Sequence, residues 1–433
     1  MNSRLAVAFF SCLLALTLAA CGKSGNGGGS TNIRVMNAIP DAAAISLTLD
    51  TTSVVSNLPF QGLTEYIGVD SGNREFKVSA NGGASNAIDT TLGIAGNTNY
   101  TYIVYNPVAS AAGLLLSDST FATPNSGTFG FRVINVAAGI GLVDVYLTAP
   151  GTDINSTSPT VSSVAVGGIS AVVGPNAATL ELRVTAAGTK QVIYDTAAQG
   201  FTNGSNYEAV VYTVGSGTLV GMAMLNIDTN GTGQANSNLL ANFKVLNASQ
   251  VASPLNVLVD GNLTLSNVPY PAASSYFTIG TGNHSFTVQA TATPGANLLT
   301  LQASLAAATD TSIVLNGSAG ALVGTVLADN NLPPPAGRAR LRFINSSPDL
   351  GPVDVYINFS KQVVGLSTNA ASVYNEVTAD TALGTPFEFD FNIAGTTTPV
   401  LKLPNTTIVG GHTYSIYLIG LSTGLQGLVV KDD

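Results

Sequence analysis

The chain has 433 residues, of which 45% are hydrophobic and only 9% are charged, and its formal net charge is −9. An acidic chain with scattered Lys and Arg excludes a nucleic-acid binder, which needs a basic patch to contact phosphates. The length allows about two to four domains. Because so few side chains are charged, Thr, Ser, Asn and Gly must supply the polar surface, and this composition favours β-structure outside the cell.

The N-terminus predicts export and lipidation. Arg4 precedes an apolar run, 5–18, and Leu18-Ala19-Ala20-Cys21 follows. A basic residue, a short apolar stretch and small residues before a cut are typical of a signal peptide, and the run is short for a membrane span. The tetrapeptide resembles the bacterial lipoprotein box, in which the Cys is acylated after the leader is removed. We predict a lipoprotein signal peptide at 1–20 and lipidation of Cys21; an ordinary signal peptide with an incidental Cys is the alternative.

The residues after the predicted cut indicate where the protein resides. Residues 21–31 are rich in Gly, Ser and Asn and predict a flexible tether. By analogy with Gram-negative lipoproteins, Gly22 after the Cys favours the outer over the inner membrane. Removing the leader also removes Cys12, so no intramolecular disulfide is possible. The expected location is the cell envelope, anchored to the membrane through the N-terminal lipid.

A short motif opens four repeats along the chain. Its copies, each ending in the Asn that we call the marker Asn, are Ile33–Asn37, Phe131–Asn135, Phe243–Asn247 and Leu341–Asn345. In each copy an alternating strand begins eight residues after the marker Asn. Repeat 1 reads as eight strands separated by Gly, Asn and Pro turns: 33–38, 45–50, 53–58, 65–69, 75–80, 87–94, 100–106 and 113–117. Short alternating strands at this density predict an immunoglobulin-like β-sandwich.

The repeats have a second level of order. Successive marker Asn residues lie 98, 112 and 98 residues apart, so repeats 1 and 3, and 2 and 4, are each separated by 210. The chain is therefore predicted to be all-β, with four tandem immunoglobulin-like sandwiches in an A-B-A-B arrangement: repeat 1 at 32–120, repeat 2 at 128–228, repeat 3 at 240–330 and repeat 4 at 337–433. The joint inside each A-B unit should be more fixed than the polar connector 228–238 between the units.

The motif resembles a bacterial family of unknown function, the domain-of-unknown-function family numbered 4397, whose pattern is R-V-x-N-A-S-P-D-A-x-x-V-D-V-Y. The best copy is Arg342–Asp349 followed by Val353-Asp354-Val355-Tyr356. Repeat 1 keeps the Pro40-Asp41 pair but not V-D-V-Y, repeat 2 keeps Val143–Tyr146 but not Pro-Asp, and repeat 3 departs from both. The resemblance implies tandem β-sandwiches at the cell envelope and no established activity.

Few groups are available for catalysis. His284 and His412 fall at different places in their repeats, His284 in the slot of Arg74 at a strand entry. Without a Cys beyond Cys21, thiol chemistry and Cys-ligated zinc are excluded, and no hydrolase, Walker or dinucleotide motif is present. We expect no enzyme activity, no catalytic residue and no cofactor.

Four repeated acids are the candidate site residues: Asp41, Asp349, Asp144 and Asp354. Clustered at one end of a sandwich, they could coordinate calcium through carboxylate oxygens. The favoured interpretation is that they are turn and strand acids whose carboxylates accept backbone N–H bonds, with no metal site. The marker Asn is likewise expected to close the first inter-strand turn.

The function predicted from the sequence is non-catalytic: a lipid-anchored envelope protein acting as a spacer, an adhesin or a scaffold for envelope proteins. The alternative is a module that binds envelope glycans or another ligand with the help of calcium. Tyrosines such as Tyr100, Tyr102, Tyr414 and Tyr417 could stack on sugar, although alternation explains them as strand residues at a sheet face.

Overall fold

The structure, a computed structural model, describes residues 31–433 except 84, 215–217, 230–232, 252, 319–320, 333 and 336. The predicted signal peptide, Cys21 and nearly all of the predicted tether therefore lie outside the described residues. The described part is all-β apart from three short 3₁₀ helices, Val108–Ser110, Asp118–Thr120 and Ile154–Ser156.

Repeat 1 contains the eight strands that its sequence predicts, with ends that differ by up to three residues. Alternating apolar residues and Gly or Asn turns form them for the reasons given above. The strands are β1 (Thr31–Ala38), β2 (Ala44–Leu49), β3 (Thr52–Pro59), β4 (Ile67–Val69), β5 (Gly72–Ala80), β6 (Asn86–Ile94), β7 (Asn99–Tyr105) and β8 (Ala112–Ser117).

The other repeats follow the same plan with short additional edge strands. Repeat 2 and the connector after it contain β9 (Gly130–Val136), β10 (Val143–Thr148), β11 (Val161–Val164), β12 (Gly168–Ile169), β13 (Thr179–Ala186), β14 (Val192–Asp195), β15 (Gln199–Gly200), β16 (Asn206–Thr213), β17 (Val220–Asn226) and β18 (Gly233–Asn236). Repeat 3 contains β19 (Leu240–Asn247), β20 (Leu255–Val259), β21 (Asn262–Val268), β22 (Ala272–Ala273), β23 (Phe277–Gly280), β24 (Gly282–Ala290), β25 (Asn297–Leu305), β26 (Asp310–Ser318) and β27 (Ala321–Ala328). Repeat 4 contains β28 (Arg338–Asn345), β29 (Val353–Ile357), β30 (Ser360–Leu366), β31 (Ala370–Ala371), β32 (Asn375–Thr378), β33 (Thr385–Ile393), β34 (Pro399–Ile408), β35 (Thr413–Ile419) and β36 (Gln426–Lys431).

Each repeat places its strands in two sheets. In repeat 1 the orders are β4-β1-β7-β8, which we call the inner sheet, and β3-β2-β5-β6, the outer sheet. The opening strand β1 pairs in parallel with β7 and lies inside its sheet. This order differs from that of an immunoglobulin domain, in which the first strand lies at a sheet edge. Nearly every residue of β1 is buried, on both faces of the strand, which fits a strand in the interior of a sheet that is covered on both sides.

Each of the four repeats has its own hydrophobic core, which lies between its inner and outer sheets. In repeat 1 the odd residues of β1, Ile33 and Val35, pack with Phe76 and Tyr102. Corresponding clusters surround Phe131 in repeat 2, Phe243 in repeat 3 and Phe343 in repeat 4. The apolar alternation predicted from the sequence therefore packs inward in every repeat.

The inner sheets of neighbouring repeats also pack against each other. Met36 and Ile103 of repeat 1 meet Ile134 and Val210 of repeat 2 in one cluster. Leu246 and Val314 of repeat 3 meet Ile344 and Tyr417 of repeat 4 in the same way. Each A-B unit is thus a stack of four sheets, in which both faces of the two inner sheets are buried.

The connector between the units is more ordered than its composition predicts. Residues 233–236 form β18, which pairs with β17 and extends the inner sheet of repeat 2. Asn238 is 3% exposed, and its Nδ2 donates to Ile193 O at 2.9 Å and Val220 O at 3.0 Å. Although its side chains are polar, this segment pairs with β17 as an edge strand. Repeat 2 therefore holds this part of the connector. The relative stiffness of the two kinds of joint stays a prediction.

Candidate functional site

The marker Asn side chains close the first turn of each repeat, as the sequence predicted. All four are fully buried. In repeat 4, Asn345 Nδ2 donates to Gly351 O at 2.8 Å and Leu366 O at 3.1 Å, while its Oδ1 accepts from Ser347 N at 3.2 Å. The other three make equivalent bonds to the edge strand and to the backbone two residues ahead. The marker Asn is therefore a structural residue.

Asn345→Ala should lower the free energy of unfolding by about 2–4 kcal/mol, because it leaves one N–H and two carbonyl groups buried without a side-chain partner. Urea unfolding followed by circular dichroism measures this loss. Gln362→Ala, which removes an exposed amide of the same repeat, is the control and should change the stability by less than about 0.5 kcal/mol. Equal stability of the two variants would contradict the structural role.

All four candidate acids accept backbone N–H bonds; Asp41 and Asp349 lie in turns, and Asp144 and Asp354 lie on β10 and β29. Asp41 Oδ1 accepts from Val108 N at 2.8 Å, and Asp144 accepts from Ser163 N and Gly188 N at 2.8 and 2.9 Å. These contacts fit the interpretation as turn and strand acids.

The two acids of repeat 4 are held in the same manner. Asp349 accepts from the N–H and hydroxyl of Ser422, both at 2.8 Å, and these bonds lower the pKa of Asp349. Asp354 accepts from Lys361 Nζ at 2.7 Å and from Gly365 N at 2.8 Å, which lowers its pKa. Within the described part of the chain, no group of three or more His, Cys, Asp or Glu side chains is placed to hold a metal ion.

The remaining residues singled out from the sequence are strand or core residues. His284 Nδ1 lies 2.7 Å from Asp260 Oδ2, as Arg74 Nη1 lies 2.9 Å from Asp50 Oδ2, so His284 takes the strand-entry position of Arg74. The four tyrosines considered for stacking are at most 9% exposed and belong to the β7 and β35 strands: Tyr100, Tyr102, Tyr414 and Tyr417. They are not available to a sugar.

A buried ionic cluster lies at the joint inside the first unit. Arg34 of β1 and Arg132 of β9 point from opposite inner sheets into it. Arg132 Nε donates to Glu208 Oε1 at 2.7 Å, and Arg34 Nη2 lies 3.7 Å from Glu208 Oε2 and 3.6 Å from Asp118 Oδ2. Arg34 Nε also donates to Thr101 Oγ1 at 2.6 Å. Two cations and two anions thus join the repeats where water is excluded.

The second unit places an equivalent cluster at its joint. Lys244 of β19 pairs with Asp432, whose Oδ2 accepts from Ser415 Oγ at 2.6 Å. Arg342 of β28 donates to Asp329 Oδ1 at 2.7 Å and to Ser415 Oγ at 2.9 Å. All four charged side chains are at most 2% exposed.

An aromatic ring covers each of the four cations. The distances to the ring centroids are 4.9 Å for Arg34 over Tyr66, 4.6 Å for Arg132 over Phe121, 4.6 Å for Lys244 over Tyr276, and 5.0 Å for Arg342 over Tyr374. A cation over an aromatic face is attracted by the ring quadrupole, more strongly when both are desolvated. The rings therefore complete the shielding of the two clusters.

Burial changes the titration of the acids in these clusters. Desolvation and the nearby Asp118 raise the pKa of Glu208 to about 7, and desolvation raises the pKa of Asp118 and of Asp432. Raised pKa values often mark acid–base catalysts, but a catalyst must also reach a substrate. Glu208 is fully buried between two sheets, where a substrate does not reach it. The ionic cluster therefore serves to join the two repeats.

Sequence reasoning missed these clusters. The signal was present, since Arg34, Arg132, Lys244 and Arg342 each stand three residues before a marker Asn, within an apolar run. A cation kept at the same place inside four buried strands indicates an ionic partner, because an unpaired buried charge is too costly. The anionic partners could not be identified from the sequence, since Glu208 lies on β16 and Asp432 follows β36, both far along the chain from the cations that they pair with.

No helix among the described residues has the length and apolar character needed to cross a membrane. The search of curated proteins finds no match. Among solved structures, the chain is similar to a family 26 carbohydrate-binding module of Eubacterium rectale Amy13K in complex with maltoheptaose, at 14% identity and a TM-score of 0.15, covering 42% of this chain and 92% of that one.

Two further structures are longer. The Bacillus anthracis TIE protein shares 10% identity at a TM-score of 0.15, covering 88% of this chain and 69% of that one. The multi-modular glycogen-degrading pneumococcal virulence factor SpuA shares 9% identity at a TM-score of 0.18, covering 85% and 37%. At such scores these likenesses carry no argument about function.

The family profile gives a clear result. The profile described as "Domain of unknown function (DUF4397)" matches residues 31–146 and 241–356, more than half of the chain. The two matches are offset by 210 residues, which is the period of the A-B-A-B arrangement, and each runs from the opening strand of an A repeat to the tyrosine of the V-D-V-Y position in the B repeat. The resemblance predicted from the sequence is confirmed: this chain belongs to the DUF4397 family and carries two tandem copies of its domain.

Proposed function

We propose that this chain is a non-catalytic, lipid-anchored protein of the cell envelope, most simply of the outer membrane, in which four β-sandwich domains form a stiff scaffold that presents surfaces to envelope partners. The observation that supports it is the construction of the joints. Each unit joins its two repeats through apolar contacts around a buried ionic cluster, and such contacts suit a spacer that must hold its shape.

The lipid anchor is the part of this proposal that comes from the sequence alone. An acylated Cys21 with two or three chains holds a protein stably at a membrane, where one chain would not. Residues 22–30 would then separate the first sandwich from the bilayer. A module that needs calcium is less well supported, because the four candidate acids already bind backbone N–H groups.

Fractionation of cells expressing the full-length chain tests the anchor. The wild type should be found in the membrane fraction and be released by detergent, whereas Cys21→Ser should move to the soluble fraction or keep its leader uncleaved. Cys12→Ser, within the predicted leader, is the matched control and should behave as the wild type. If Cys21→Ser fractionates and is processed like the wild type, the lipid-anchored function is wrong. Protease added to intact cells then reports whether the domains face outward.

A further inference from the structure

The outer face of repeat 4 exposes aromatic side chains. Tyr356 of β29 points outward between buried Val355 and Ile357 and is half-buried, and Phe359 in the following turn is 72% exposed. By strand register, Thr48 takes the position of Tyr356 in repeat 1 and Leu258 takes it in repeat 3.

Repeat 2 has a tyrosine at the same place but covers it. Tyr146 is 1% exposed, and Lys190 Nζ lies over its ring at 4.7 Å and donates to its hydroxyl at 3.0 Å. The loop that follows β10 runs to Val161 and supplies Thr157 O as a further partner of Lys190, whereas β29 and β30 of repeat 4 are joined by only two residues. Lys361 Nζ lies 5.4 Å from the Tyr356 ring centroid, but no long loop packs beside it, and Tyr356 stays only half-buried.

Phe359 occupies a backbone conformation that a large side chain rarely adopts. The turn Asn358-Phe359 has φ values of 48° and 67°, the two left-handed residues of a type I′ hairpin. The second position of such a turn is normally Gly, as in repeat 3, where Gly261 has a φ of 81°. A bulky residue there costs conformational energy. Because the ring is mostly exposed, burial of apolar surface does not offset that cost.

Charged side chains surround the two rings. In register across the sheet, Lys361, Tyr356, Asp390 and Lys402 form one row. Lys402 Nζ lies 5.8 Å from the Phe359 ring centroid, 2.8 Å from Glu388 Oε1 and 3.2 Å from Asp390 Oδ2. Lys361 Nζ is likewise paired with Asp354 at 2.7 Å. Each lysine is paired with carboxylates, so the face offers hydrogen-bond donors and acceptors but no unpaired cation that would select an anion.

We propose that this face of repeat 4, formed by Tyr356, Phe359, Lys361, Glu388 and Lys402, binds a neutral sugar chain. An exposed aromatic face is apolar and electron-rich, which suits the C–H face of a pyranose ring, and a sugar hydroxyl can donate to a carboxylate and accept from an ammonium group. In this proposal, the strained backbone conformation at Phe359 is what holds its ring exposed on this face. The proposal rests on the proposed interaction role but does not need the lipid anchor.

The test uses residues 22–433, the predicted mature chain without Cys21, so that lipidation has no part in it. Affinity electrophoresis and NMR titration with cellohexaose and maltohexaose at millimolar concentration provide β- and α-linked neutral probes. The wild type should bind at least one of them. Phe359→Gly should weaken this binding by about tenfold, while leaving the melting temperature unchanged or higher, because Gly adopts the turn without strain.

Two further variants separate binding from folding and from general stickiness. Tyr356→Thr, which places the residue of repeat 1 on this face, should weaken the same binding. Val364→Ser removes an apolar side chain that is 77% exposed on β30 and should leave it unchanged. No binding by the wild type, full binding by Phe359→Gly, or an equal loss in Val364→Ser would each overturn the proposal. None of these outcomes bears on the Cys21 fractionation, so the two proposals fail separately.

Discussion

Asp432→Ala is expected to lower the free energy of unfolding of the second unit by about 3–5 kcal/mol, the cost of leaving one member of a buried ion pair alone. The Asp432 side chain is fully buried, pairs with Lys244 and accepts from Ser415 Oγ at 2.6 Å. Its removal leaves the Lys244 ammonium uncompensated between two sheets. Urea unfolding of the soluble mature chain measures the change, and the transition of repeats 1 and 2 serves as the internal reference.

A double-mutant cycle separates the pair from its parts. Lys244→Met alone should also be costly, because it leaves the Asp432 carboxyl buried without its cation. The double variant should recover much of the loss, since replacing both members of a buried pair by uncharged groups is often close to neutral. If the double variant loses as much as the two single variants together, the pair does not couple the two residues.

The first unit should lose stability as the pH rises from about 4.5 to about 7. Burial raises the pKa of Glu208 from 4.5 to about 7, so in this range the folded state holds a proton that the unfolded state has released. The contribution is therefore complete below the unfolded pKa and is lost as the pH rises through the folded one. A single proton limits the slope to about 1.4 kcal/mol per pH unit.

Glu208→Gln should flatten this pH dependence, because Gln resembles the protonated acid and does not titrate. The measurement is the free energy of unfolding of wild type and variant at several pH values, taken as a difference so that other carboxyl groups cancel. Glu65→Gln, an exposed acid of repeat 1, is the control and should keep the wild-type slope. A Glu208→Gln profile parallel to that of the wild type would contradict the assignment.

The sequence predicted secondary structure and repeat order better than strand order. All eight strands of repeat 1 and the 210-residue period follow from alternation, turn residues and spacing. The immunoglobulin-like order was wrong in its connectivity, because local patterns do not say which strand is covered on its second face. For β1 that cover is the inner sheet of repeat 2.

Site residues could likewise be predicted from the sequence only where their partners are local. Asn345 could be assigned from its spacing because its partners are close in sequence or on the adjacent edge strand. Glu208 meets Arg34 across a joint, 174 positions away, and nothing local marks the encounter. Phe359 is recognised only when its φ and exposure are known, since Asn-Phe is an unremarkable dipeptide.

The family profile ends inside β10 and β29, at Tyr146 and Tyr356. A fragment trimmed to 31–146 would keep β9 while discarding β16, its parallel neighbour and the source of Glu208. Such a fragment would expose an unpaired strand edge and an orphaned arginine, both of which promote aggregation. Dissection of these proteins should therefore keep whole 210-residue periods together rather than cut at the limits of the profile.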